Sequence, residues 1–83
     1  MKFVAEIDIM PHRELLDPQG KTVLNNMKHL DLNGFSDVRM GKHVQMVLEA
    51  GSEIEAKTAV ETACKKLLAN LIMESYSFEL KKA

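Results

Sequence analysis

The spacing of apolar residues switches between two and about 3.6 along this chain, and the order of the switches leaves few folds open. Phe3, Ala5, Ile7 and Ile9 alternate with Lys2, Glu6 and Asp8, the pattern of a strand with one buried face. Val4 and Met10 fall on its polar side. Pro11-His12-Arg13-Glu14 ends the strand. Asp17-Pro18 then opens a helix: Asp17 can accept the free N–H groups of the first turn, and Pro18 suits the first helical position. Val23, Leu24, Met27 and Leu30 recur at helical spacing, and Asn33-Gly34 tolerates a left-handed end. The spacing predicts a helix over residues 18–31.

Residues 35–50 read as a hairpin. Val38 and Met40 alternate on one arm and Val44, Met46 and Leu48 on the other. A three-residue turn, Gly41 to His43, keeps the apolar side chains together. Ser52-Glu53-Ile54-Glu55 is a capping box. It opens a second helix with an apolar stripe of Ala56, Ala59, Val60, Ala63, Cys64, Leu67 and Leu68. Tyr76, Phe78 and Leu80 alternate in a last strand. The order is the ferredoxin-like β-α-β-β-α-β pattern. The expected fold is therefore α+β: one domain over residues 1–83, with a four-stranded antiparallel sheet and two helices on one face. The opposite face, with Val4, Met10 and Val47, is then a candidate association surface.

Composition narrows the function. A chain of 83 residues with one Cys has a small core and no disulfide staple, so oligomerisation is the expected source of added stability. A net charge of -1 argues against nucleic acid and anionic membranes as partners. Glu6 and Asp8 interrupt the N-terminal apolar stretch that a secretory signal would need. No stretch reaches the ~20 apolar residues of a membrane span, and the expected compartment is the cytoplasm.

The candidate chemistries are weak. Gly20-Lys21-Thr22 lacks the earlier Gly of a phosphate loop, since Leu15 stands there, and Asp17 would face the phosphates. Cys64 lies on an apolar stripe. His12, His29 and His43 show no metal-ligand spacing. The predicted third strand has no aromatic for stacking RNA bases. No catalytic, cofactor-binding or metal-binding residue is expected. Leu15 to Gly20 and Ser36 to Lys42 remain without a chemical role; Asp37, Arg39 and Lys42 read equally as solvated hairpin charges.

These segments carry a resemblance. LDPQG at 16–20, SDVRMGK at 36–42, EAKTAVETACKKLLAN at 55–70 and SYSFEL at 75–80, in this order, resemble the PurS family, the small subunit of multi-subunit phosphoribosylformylglycinamidine synthase. The family commonly has Pro after the LLAN segment, where this chain has Leu71. The resemblance implies a non-catalytic chain that forms a homodimer or tetramer. It bridges a PurL-type synthetase and a PurQ-type glutaminase and supports ammonia transfer between them. ATP, magnesium and glutamine are then used by the complex, with no cofactor on this chain alone and no nucleic-acid or membrane partner. Asp37, Arg39, Gly41 and Lys42 are the expected partner-contact residues, with Asp17, Pro18, Gln19 and Gly20 a second set. A small-molecule-binding regulatory dimer is the competing expectation; a small phosphatase, with Arg13 as anion ligand, is a third.

Overall fold

The computed structural model describes residues 1–83. Strand β1 (Lys2–Pro11) leads to helix α1 (Pro18–His29). An irregular segment then reaches strand β2 (Lys42–Glu49), followed by helix α2 (Glu53–Ala63), a π-helical turn (Cys64–Leu68) and strand β3 (Glu74–Lys82). β1 is the middle strand of the sheet, antiparallel to β2 on one side and β3 on the other. Ile7 lies opposite Val44 and Phe78.

The period-two pattern of β1 does what it predicts. Phe3, Ala5, Ile7 and Ile9 are fully buried. The last three meet Val60 and Cys64, and Val44, Met46, Leu48, Tyr76, Phe78 and Leu80 close around them. α2 opens as the capping box requires: the Ser52 hydroxyl accepts the Glu55 N–H at 3.2 Å, and the Glu55 carboxylate accepts the Gly51 N–H at 3.0 Å. Its last turn widens, closed by the Ala69 N–H donating to the Cys64 carbonyl at 2.9 Å. This π turn sets Leu68 and Ala69 against the core. It also turns Leu67 outward, 81% exposed, where plain helical spacing predicts it inside.

The sheet has three strands, not the expected four. Residues 35–41 form no strand. The Met40 N–H, which a hairpin would direct to a neighbouring strand, donates to the Asp17 carboxylate at 2.7 Å. The three-residue turn therefore does not form, and β2 keeps an unpaired outer edge.

Nor do both helices cover the sheet. α1 buries only Gly20 and contributes no side chain to the core. Val23, Leu24 and Met27 are half-buried, and Leu30 is 70% exposed. α1 ends at His29 rather than residue 31, because Asp31 takes the left-handed conformation (φ 58°) ahead of Gly34 (φ 94°). The molecule is consequently long, 52 × 26 × 15 Å. Its radius of gyration is 16.5 Å, against about 12 Å for a compact chain of this length.

The helix-free sheet face differs too. Val4, Met10 and Val47 lie there as expected, but Glu6, Asp8, His43 and Gln45 between them form a hydrogen-bonded polar surface. Besides Met10 and Val47, the exposed apolar residues gather just before α1, at its end and in the segment after it, and on the turn before β3.

Candidate functional site

Two of the motif segments meet at the start of α1. Asp17 has extended backbone (φ -114°, ψ 93°), which leaves its side chain free to turn back over the first turn. One carboxylate oxygen accepts the Gly20 N–H at 3.1 Å and the other the Met40 N–H at 2.7 Å. These two N–H groups, Met40's above all, hold the Asp17 carboxyl below the usual carboxylate range, with Arg39 adding favourable charge. Gly20 is buried beneath the Val38 carbonyl, which occupies the place a Cβ would take. The absence of a side chain there lets 38–40 lie on the helix start.

Arg39 fastens the same segment to the end of β1. Its guanidinium donates to the carbonyls of Pro11 at 3.0 Å, His12 at 2.5 Å and Arg13 at 3.2 Å, a use of several donors that one planar fork permits. Gly41 sits against the Ile9 carbonyl and the Met10 sulfur, leaving no room for a Cβ. Of the expected residues, Asp17, Gly20, Arg39 and Gly41 thus come together as fasteners. Lys42 lies apart, 4.0 Å from Glu74. Asp37, Pro18 and Gln19 are exposed. Pro18 and Gln19 line an open cleft of about 450 Å³ with Leu15, Leu16, Met40 and Met73.

Two further features escape sequence reasoning. On the helix-free face, His43 Nδ1 lies 2.6 Å from the Asp8 carboxylate and Nε2 3.4 Å from Glu6. Gln45 donates to both Glu6 oxygens, at 2.9 and 3.1 Å. The hydrogen bond to Asp8, then that to Glu6, raises the His43 pKa. This cluster follows from the register Asp8↔His43 and Glu6↔Gln45, which becomes readable only once β2 is known to pair with β1. The other feature is the turn Asn70–Met73, closed by the Met73 N–H donating to the Asn70 carbonyl at 2.9 Å. His12 Nε2 lies 3.1 Å from the Leu71 carbonyl, and Ile72 is 87% exposed at the tip. Leu71 is the second residue of this turn and its N–H has no partner within the chain. A proline fits such a position well.

No group of three His, Cys, Asp or Glu side chains is placed to hold a metal ion. No helix is long and apolar enough to cross a membrane. The solvent-accessible surface is 6191 Å², about 1,200 Å² more than a compact monomer of this length presents. A small α+β chain that holds a helix off its own sheet and fastens it by backbone contacts is built as an assembly subunit, with surface for other chains to cover.

Comparison with known proteins names the assembly. The family model "PurS: Phosphoribosylformylglycinamidine (FGAM) synthase" matches residues 4–82, and this chain belongs to the PurS family. It is 41% identical to the synthase subunit PurS of Synechocystis over 80% of this chain and 66% of that protein. It is 35% identical to the Bacillus subtilis subunit over 96% of this chain and 94% of that one. Its fold is similar to a chain in the structure of PurLQS from Thermotoga maritima, with a TM-score of 0.90 and 26% identity, covering 98% of this chain and 99% of that one.

Proposed function

We propose that this chain acts as the small subunit of phosphoribosylformylglycinamidine synthase in purine biosynthesis. It bridges a PurL-type synthetase and a PurQ-type glutaminase and supports the passage of ammonia between them. The observation that carries this reading is the likeness over nearly the whole chain to a chain of the Thermotoga PurLQS assembly. The complex uses ATP, magnesium and glutamine to amidate formylglycinamide ribonucleotide, in the cytoplasm. Ammonia is protonated and lost in bulk water, so an adaptor that closes an interface between two active sites contributes through shape and polar contacts.

A second copy of the chain is its first partner. The surplus surface is of the order of the ~800 Å² per partner that a stable interface buries. Leu30, Leu32 and Phe35 at and beyond the end of α1, with the open parts of the half-buried Leu24 and Met27, supply apolar area that this chain does not cover. The surface toward the enzymatic subunits includes Asp37, Lys42, Pro18 and Gln19, whose side chains are exposed. Asp17, Gly20, Arg39 and Gly41 give that surface its shape.

Reconstitution tests the reading. The chain should co-elute with the synthetase and glutaminase subunits on size exclusion. It should restore glutamine-dependent turnover far more than ammonium-dependent turnover. Equal effects on both nitrogen donors, or no co-elution, would sink it. Charge reversal at Asp37 and Lys42 that leaves assembly intact would remove those residues from the contact surface.

A further inference from the structure

α1 is a lever without a bed. Twelve residues make it about 18 Å long, yet none of its side chains enters the core. Its ion-pairing residues make no bridge to the rest of the chain. The hydrogen bonds of α1 and its caps are local, with one exception: the Asp17 carboxylate accepting the Met40 N–H, 23 residues away. Met40 belongs to a segment that is itself tied to the sheet, by Arg39 on the carbonyls of Pro11, His12 and Arg13 and by Gly41 on Ile9.

We infer that Asp17 and Arg39 act in series as a latch that sets the direction of α1 relative to the sheet. The path runs from the end of β1 through the Arg39 guanidinium to residues 39–40, and from the Met40 N–H through the Asp17 carboxylate to the first turn of α1. Each joint has a feature that a substitute would lack. The carboxylate carries two acceptor oxygens and uses one at each end, with the strength of a charge-assisted bond. The guanidinium reaches three carbonyls from two nitrogens held in one plane, whereas an ammonium would have to serve all three from a single point. Gly20 lets the Val38 carbonyl close on the helix, so the joint is tight as well as bonded. Asp17 and Arg39 are thus positioning residues. Their purpose, which rests on the function proposed above, is to present the apolar stripe of α1 already aimed at its partner. Pre-aiming lowers the ordering cost of association.

The test reads the direction of α1 in the full chain alone. Spin labels at Lys28→Cys and Ser77→Cys, both exposed sites, report the distance from the far end of α1 to β3. Cys64 is buried and its thiol is pushed up by that burial, so it stays unlabelled. Excess unlabelled chain confines the signal to distances within one copy. The native chain should give one narrow distance. Asp17→Ala and Arg39→Lys should each shift or broaden it by about 6 Å, the displacement that a ~20° swing produces at the end of such a helix. Hydrogen exchange at the amides of β1 should stay at native rates. An unchanged distance in both variants overturns the latch. So does loss of protection in β1 alongside the shift, which would make these residues general supports of the fold. In the reconstituted synthase the same variants should lower glutamine-dependent turnover more than ammonium-dependent turnover. Failure of the wild-type chain to join the complex would overturn the proposed function instead, because the distance is read without it.

Discussion

Helices α1 and α2 begin alike and end in opposite circumstances. Each has a side-chain N-cap, Asp17 or Ser52, and each carries an apolar stripe. α2 lays its stripe on β1, where Ala56 and Val60 are buried. α1 has a shorter stripe, of Val23, Leu24, Met27 and Leu30, and none of these side chains is fully buried. Amphipathicity therefore says that a face will be covered, but not that its own chain will cover it. The α2 half is held by packing and the α1 half by a few polar fasteners.

The strongest test of this contrast sets one residue from each half side by side. Ile7→Ala should destabilise the chain by about 2–5 kcal/mol at every protein concentration, measured by urea unfolding. Leu30→Ser should change the stability of the separate chain by no more than about 0.5 kcal/mol and instead raise the concentration at which copies associate, measured by light scattering. Equal unfolding effects would erase the distinction.

Gly20→Ala comes next and tests the fasteners through its sign. Helix propensity alone favours alanine by up to about 1 kcal/mol. The Val38 carbonyl over Gly20 predicts the reverse, a loss of about 1–3 kcal/mol, which urea unfolding would register. Removing the α2 cap with Ser52→Ala should cost about 1 kcal/mol in the same assay and leave the direction of α1 as it was. Leu71→Pro should be neutral or stabilise by up to about 1 kcal/mol, as a rise in midpoint, because the second turn position suits proline and no N–H bond is lost.

The smallest effect belongs to the helix-free face. The His43 pKa is raised in the folded chain, first by Asp8 and then by Glu6. Its contribution to stability is therefore fully present below the ordinary histidine value of about 6.5 and is lost as pH rises through the raised folded value. Thermal midpoints across this range should fall slightly more for the native chain than for His43→Gln. Salt should shrink the difference, since the groups are exposed.

Local patterns were legible in this sequence and non-local ones were not. The alternation of β1 and the caps at Asp17 and Ser52 depend on neighbours in the chain, and the structure contains them; the expected order of elements holds except for the strand before Gly41, which does not form. Val38 and Met40 misled because period two is also what a loop shows when alternate residues happen to be apolar. What keeps residues 35–41 from being a strand is a carboxylate 23 residues earlier. The motif residues were legible only in part, since Asp17, Gly20, Arg39 and Gly41 belong to the joint while Asp37, Lys42, Pro18 and Gln19 do not. Their manner of acting, backbone against backbone within the chain, has no signature in composition or spacing. The His43 cluster was hidden for the same reason, because it depends on strand register.

The position of β1 has a kinetic consequence. Synthesis runs from β1 toward β3, so the central strand is made first and keeps at least one open edge until Glu74–Lys82 exists. Ile7 waits for Phe78 across nearly the whole chain. Contacts so distant in sequence slow folding, and an unfinished sheet with an apolar central strand is exposed to wrong pairings. The nascent chain is thus most vulnerable just before its last strand arrives, and early encounter with a second copy or with a chaperone would matter most in that interval.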